Sequence, residues 1–253
     1  MPRRVIWRDR TDACRRPPLK VMFIGAHPDD AEIYSFGTLF AYRDRAADII
    51  IVLATAGEGG LTVRSKHQPL GITRMAEAEQ AAAMLPARVV QLGMEDGGLG
   101  PQRVILLRKI TDFIGFEKPD VILTHSPNDY HPDHRVLSAA VSFAAMDRVP
   151  VFYIDNMKGR NFTPTHYVNI KKFHAQKMLA LRQHQSQKPR RYVLAATALA
   201  YDRGFAATGR ADALMEGLRI YDSPAFKSIT HLLPKGTILA PEVVHGRPIA
   251  ADE

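Results

Sequence analysis

The chain has 253 residues, with 34 Lys and Arg against 26 Asp and Glu, for a net charge of +8. Hydrophobic residues make up 46% and charged ones 24%, which excludes a globally disordered chain, and a single cysteine excludes a disulfide scaffold or a cysteine-based zinc site. No apolar run approaches the ~20 residues of a membrane span, and the first 20 residues lack the apolar core of a secretory signal, so a soluble, cytoplasmic protein is expected.

In chain order, residues 1–18 read as a basic N-terminal extension. Leu19–Ala26 is a continuous apolar run ending in Gly-Ala, the pattern of a strand buried on both faces. Residues 31–45 read as a helix and Asp48–Ala56 as a second strand. A helix over 73–85 follows, with Thr73 as its N-cap and Met75, Ala78, Ala82 and Leu85 on one apolar face. Arg88–Gly93, Asp120–His125 and Val149–Asp155 are further strands, separated by helices over 101–116 and 134–147. This alternation predicts an α/β fold: a Rossmann-like, mostly parallel sheet with helices on both faces. Residues 19–233 form one domain in this reading, and 234–253 an extended C-terminal tail or strap.

The charge is concentrated. Residues 1–20 sum to +5 and residues 171–191 to +7, leaving −4 for the rest of the chain. Nucleic-acid binding by a basic, non-catalytic Rossmann-like module is the alternative from another class. Two isolated blocks without interleaved aromatics or a recognition-helix motif speak against it, so no nucleic-acid partner is expected. The 171–191 block reads first as a solvated helix face, or else as a source of affinity for a substrate carrying phosphate or another anion.

In an open α/β sheet, ligands bind beyond the carboxyl ends of the strands. The first strand is followed by His27-Pro28-Asp29-Asp30-Ala31-Glu32, and the fourth by a loop running from His125 through Asp129, His131 and Asp133 to His134. Each places imidazoles and carboxylates where a helix begins. Helix capping accounts for one carboxylate per helix but not for both clusters together. Neutral imidazole nitrogen and carboxylate oxygen are zinc ligands, and a catalytic zinc site keeps three of them.

The motifs AHPDDAE (26–32), TAGEGG (55–60), RMAEAEQAAAML (74–85), LGMEDGGL (92–99), KPDVILTHSPNDYHPDH (118–134) and HQSQ (184–187) make the sequence recognisable. It resembles the PIG-L/LmbE family of metal-dependent N-deacetylases across residues 19–220. The resemblance implies a Rossmann-like fold and hydrolysis of an N-acetyl or other short N-acyl group on a small amino-sugar molecule. An amidase acting on a larger acyl or thiol-conjugate amide is the alternative within the family. By this resemblance His27, Asp30 and His134 match zinc ligands, with Fe2+ an alternative for such an N/O site. Asp29 matches the general base toward water, and His131 the imidazole that, when protonated, stabilises the oxyanion or protonates the departing amine. Asp133 matches the carboxylate that orients His131 and favours its charged form. Arg74, Asp96 and His184 match positions near the substrate. The partner implied is a small N-acylated amino sugar, anionic if the basic block contributes; a homo-oligomer is allowed.

Three segments depart from the commoner family pattern. Ser35-Phe36-Gly37-Thr38 replaces a Gly-rich turn, Arg210–Ile220 matches only loosely, and the basic N-terminal extension precedes the usual start. Residues 61–72 and 156–166 are expected at the rim of the pocket.

Overall fold

The apolar runs become an eight-stranded mixed sheet in the order β3-β2-β1-β4-β5-β7-β6-β8. A computed structural model describes residues 17–60, 69–158, 161–221, 225–226 and 228–241. Most of the N-terminal basic block, residues 61–68 of the expected rim and residues 242–253 of the tail lie outside them. Strands β1 (Lys20–Gly25), β2 (Asp48–Thr55), β3 (Arg88–Met94), β4 (Val121–His125) and β5 (Val151–Ile154) are mutually parallel where they pair. These are the five strands expected from sequence.

The remaining three strands are antiparallel additions. β7 (Met215–Ile220) pairs with β5, β6 (His166–Asn169) with β7, and β8 (Thr237–Leu239) with β6 at the edge. Their short runs carry no distinctive period, and their partners are remote in sequence. Among the described residues no helix is long and apolar enough to cross a membrane.

Successive side chains of β1 enter opposite layers, as a strand's period of two requires. Val21 and Phe23 pack with Leu39, Phe40 and Ile51 on one face; Met22 and Ile24 pack with Ile50, Leu106 and Val141 on the other. The first layer is covered by α1 (Asp30–Tyr34), α2 (Phe36–Arg43), α3 (Leu70–Ala83), α6 (His174–Leu181) and α7 (Arg190–Thr208), the second by α4 (Arg103–Glu117) and α5 (Pro132–Ala145).

Two helices differ from their expected form. α3 begins after Pro69 rather than at Thr73, so its first turn includes residues read as loop. The helix expected over 31–45 is broken at Ser35, whose φ of −146 and ψ of 11 separate α1 from α2.

The break is held from the far end of the chain. Glu216 on β7 accepts from the backbone N–H groups of Gly37 (3.1 Å) and Thr38 (2.7 Å), and from Thr38 Oγ1 (2.6 Å). Its Oε1 also receives buried Lys177 Nζ at 2.6 Å. A Cβ on Gly37 would stand 2.6 Å from Ile170 Cγ2, so the close approach requires glycine here. Glu216→Ala leaves a buried ammonium and two helix N–H groups without their acceptor. We expect about 3–5 kcal/mol of destabilisation and a loss on the order of 10 °C in the thermal midpoint. A loss below about 1 kcal/mol would mean that Lys177 finds another partner or water.

β1 and β4 are adjacent, and the chain's crossovers run in opposite directions from this pair. Their carboxyl ends therefore form the switch point at which a ligand crevice opens.

Candidate metal and acid–base site

His27 leaves β1, Asp30 opens α1, and His134 lies in the first turn of α5, whose N-terminus is set by Pro132. Neighbouring strands bring these three together. His134 Nε2 lies 3.3 Å from His27 Nδ1 and 3.4 Å from Asp30 Oδ1, and His27 Nδ1 lies 3.6 Å from Asp30 Oδ2. All three side chains are buried. Tetrahedral zinc, with ligand bonds of 2.0–2.2 Å, sets its ligand atoms about 3.3–3.6 Å apart. The two imidazoles and the Asp30 carboxylate approach that spacing, with a different carboxylate oxygen nearest each ring; the groups whose ligand atoms all lie within 4.8 Å of one another are His27–His131–His134, Asp30–His125–His134 and His27–Asp96–Asp133. Two imidazoles and one carboxylate also suit ferrous iron. His131 belongs to the same cluster, its nearest ring nitrogen within 4.8 Å of those of His27 and His134.

Without a cation these groups share protons. Burial disfavours the imidazolium of His134, but Asp30 and Asp129 outweigh it and push the group up to about 9. His27 is raised in the same way, with Asp133, Asp30 and Asp96 overcoming its burial.

A second ring of groups holds the first. His27 Nε2 is 3.0 Å from Asp96 Oδ1 and 3.5 Å from Asp133 Oδ2, and His134 Nδ1 is 3.1 Å from Asp129 Oδ2. Asp30 Oδ2 accepts from the His27 backbone N–H at 2.7 Å and lies 3.0 Å from His125 Nε2. Burial and the neighbouring His134 lower the pKa of His125, and its Nε2, which faces Asp30, is also approached by the Ala26 backbone N–H at 3.2 Å. Such partners fix the tautomer and direction of metal-binding side chains. Sequence reading assigned no role to His125 or Asp129; both lie inside the 118–134 motif, which was their only signal.

Asp29 sits beside this cluster with a backbone φ of 120 and ψ of −17, a conformation uncommon for a residue with a Cβ. Arg74 from α3 holds the strained turn. Its Nη2 donates to Pro28 O at 2.7 Å and lies 3.2 Å from Asp29 Oδ1, while Nη1 donates to Gly57 O at 2.8 Å. Gly57 has a φ of 67, and a Cβ there would occupy the space of the guanidinium. Burial pushes the Asp29 carboxyl above its ordinary value, opposed chiefly by Arg74 and reinforced by the charge of Asp30. A carboxylate shifted upward is better matched to accept a proton near neutral pH.

The sign of the Arg74 effect is testable. Arg74→Gln removes the main influence that lowers the Asp29 pKa, so the acid limb of kcat/KM should move to higher pH. A limb that stays in place would assign it to another group.

A cleft of ≈ 320 Å³ opens over these groups. Of the residues expected at the site, His27, Asp29, Asp30, Arg74, Asp96, His131 and His134 line it. Two expectations need correction. His184 is fully buried, with Nε2 facing Glu32 Oε2 at 3.4 Å, and does not line the cleft. The adjoining turn packs on α3, where Glu77 accepts from the N–H and Oγ of Ser186, each at 2.7 Å. From this sequence motif, Gln187 reaches the cleft instead.

The second correction concerns His131. Its pKa is lowered, because burial and the charges of His134 and His27 outweigh Asp30 and Asp133. The Asp133 carboxylate accepts from Gly97 N–H at 2.8 Å and faces His27, while only its backbone N–H reaches His131, donating to Nδ1 at 3.3 Å. An accepting Nδ1 leaves the proton of a neutral ring on Nε2. Ile33, Tyr34, Gly59, Gly60, Tyr130, Met157, Arg191 and Tyr192 complete the lining; Met157 falls in the expected rim segment 156–166 and Arg191 in the basic block, while no local sequence signal joined Tyr34 or Tyr192 to the site.

The fold and these side chains define an α/β protein whose switch point gathers imidazoles and carboxylates that could hold a metal ion. The family model described as GlcNAc-PI de-N-acetylase matches residues 22–145. The diacetylchitobiose deacetylase of Thermococcus kodakarensis is 30% identical over 190 residues, covering 67% of this chain and 70% of that protein. The 1D-myo-inositol 2-acetamido-2-deoxy-alpha-D-glucopyranoside deacetylase of Mycolicibacterium gilvum is 28% identical over 169 residues, covering 53% of this chain and 58% of that protein. This chain belongs to the PIG-L family of enzymes.

Among solved structures, N,N'-diacetylchitobiose deacetylase from Pyrococcus horikoshii superposes with a TM-score of 0.70 at 22% identity, over 86% of this chain and 87% of that one. GalB, the 4-carboxy-2-hydroxymuconate hydratase from Pseudomonas putida KT2440, superposes with a TM-score of 0.69 at 18% identity, over 83% of this chain and 99% of that one. At these identities the likeness carries the fold alone, and the same fold serves different reactions.

Proposed function

We propose that this protein is a metal-dependent hydrolase that removes an acetyl group from the nitrogen of an amino-sugar-containing small molecule. The observation that carries the reading is the buried cluster of His27, Asp30 and His134, whose nearest N···N and N···O approaches are 3.3–3.6 Å, beside a buried carboxylate raised in pKa. The two curated relatives, both deacetylases of N-acetylated amino sugars by name, support the substrate class.

His27, Asp30 and His134 hold the cation. Zn2+ or Fe2+ bound there supplies a Lewis acid that polarises the amide carbonyl and makes water a stronger acid. Asp29 accepts the proton that the attacking water loses, and returns it to the amine nitrogen as the C–N bond breaks. His131, through Nε2–H, donates to the oxygen on which charge develops; a neutral imidazole suffices for that hydrogen bond. Arg74 keeps Asp29 ionised and in place, and Asp133 holds the His131 tautomer through its backbone. The products are acetate and the free amino sugar.

The test is acetate release by Zn2+-loaded and Fe2+-loaded protein from N,N'-diacetylchitobiose, N-acetylglucosaminyl-inositol and N-acetylglucosamine, before and after chelation. Metal-dependent acetate release from at least one of them is expected. Turnover of longer N-acyl analogues alone would favour the larger-acyl amidase instead. Near-stoichiometric metal without hydrolysis of any amide would overturn the reading.

A further inference from the structure

The helix α7 turns its large apolar side chains away from the core. It buries Ala196, Ala200 and Gly204, four residues apart, and a Cβ on Gly204 would run into the carbonyl of Ala213. Small residues on this face let the helix lie close to the segment that leads into β7. The opposite face carries Leu194, Ala198, Tyr201 and Phe205, all exposed; Leu194 is 64% open to solvent and Phe205 61%. From Tyr192 to Thr208 the only charged side chains are Asp202 and Arg203, paired with each other at 3.1 Å. A surface helix ordinarily turns polar residues outward, so this face lacks its cover among the described residues.

The spacing of the outward residues says what covers it. They recur at intervals of four, three and four, the pattern of a coiled-coil seam, and the seam is symmetric about the point between residues 199 and 200. Laid antiparallel on an identical helix, it sets Leu194 against the partner's Phe205 and Ala198 against the partner's Tyr201, each pair twice. Ala198 then leaves the hole that the tyrosine ring fills. A parallel alignment would set like against like and leave a gap where two alanines meet.

Charge favours the same arrangement. α7 begins with Arg190 and Arg191, at the end where the helix dipole disfavours cations, and has no basic residue in its last turn, where the dipole favours them. Antiparallel pairing carries the arginines of each helix to the carboxyl end of the other, with Arg191 meeting the partner's Thr208. The docked helices, each ~28 Å long, cover an area at the lower end of specific interfaces, roughly 1,200 Å² in total.

We propose that α7 is the interface of a two-fold symmetric dimer of this chain, paired antiparallel through Leu194, Ala198, Tyr201 and Phe205. The homo-oligomer that the sequence allows thereby gains one surface and one register.

Sedimentation equilibrium on the full chain makes the test. At about 50 µM we expect twice the 28.2 kDa of a single chain, with dissociation in the low micromolar range. Leu194→Glu and Phe205→Glu should each weaken association at least about 100-fold, because each substitution enters a two-fold interface twice. Leu194→Glu combined with Phe205→Lys brings opposite charges together only in the antiparallel register, and should restore the dimer at low salt. None of these residues lines the cleft, and circular dichroism checks that each variant is folded.

A monomer at about 100 µM overturns the inference, since even a weak specific interface associates there. If that monomer cosediments with phosphatidylcholine–phosphatidylserine vesicles and Phe205→Glu abolishes this, the face belongs to a membrane surface instead. An assembly that neither glutamate weakens also overturns the inference, because its contacts lie elsewhere. Association lost in both single variants and not recovered by the charge pair overturns the antiparallel register.

Discussion

Asp29→Asn is expected to keep its metal and to lose about 10²- to 10⁴-fold in kcat, the usual contribution of a positioned general base. The substitution is informative because it changes little else. Asn tolerates positive φ about as well as Asp, so the turn at φ 120 is preserved, whereas Ala there would add strain. Arg74 loses a charged neighbour but keeps its bonds to Pro28 O and Gly57 O. What disappears is the buried carboxylate whose raised pKa lets it take a proton near neutrality. Metal content by atomic spectroscopy and acetate release, measured on the same preparation, decide the matter. Full turnover with metal bound would remove Asp29 from the mechanism.

The second large effect is on the cation. His134→Ala removes one member of the cluster, and both metal content and activity should fall to background. Asp96→Asn should weaken metal binding about 10- to 100-fold, because Asp96 Oδ1 lies 3.0 Å from His27 Nε2 and its other oxygen is fixed by Gly59 N–H at 2.9 Å. A carboxylate that contacts only substrate would raise KM and leave metal affinity alone.

The unaltered protein offers a further check on the same site. His134 titrates at about 9 and His27 is raised when no cation is bound, so a metal arriving at pH 7 must displace their protons. Metal affinity should therefore rise with pH up to about 9. Calorimetry in buffers of different ionisation enthalpy should count release of up to about two protons per ion. No proton release at pH 7 would place the metal elsewhere.

The hydratase likeness shows why these measurements matter. A TM-score of 0.69 over nearly all of that enzyme is as good a superposition as the deacetylase gives. The fold provides a switch point at which a cation and an acid–base pair can be assembled. The chemistry is decided by a few side chains at the crevice and by what the rim admits.

The sequence by itself determined the first five strands and the alternation that stacks helices on both sides of them. That information is local: side-chain period and run length report burial without knowledge of the partner strand. It also brought out the two clusters, because His27, Asp29 and Asp30 are contiguous and His131, Asp133 and His134 share one turn at the start of a helix.

The tertiary structure decided which atoms face which. Only the pairing of β1 with β4 puts His134 Nε2 3.3 Å from a histidine 107 residues away. The break at Ser35 depends on Glu216, from the other end of the chain. Asp133 is the sequence neighbour of His131, whereas folding also sets His27 and His134 beside it, and in the metal-free chain burial and these two rings lower its pKa. Arg191 and Tyr192 join the crevice because α7 packs back across α1, a contact that no spacing in the sequence encodes. The +8 of the composition was likewise legible as a total and as two blocks. Which of those charges are paired was settled by whether folding brought a carboxylate within reach, as it did for Lys171, Lys172 and Lys177.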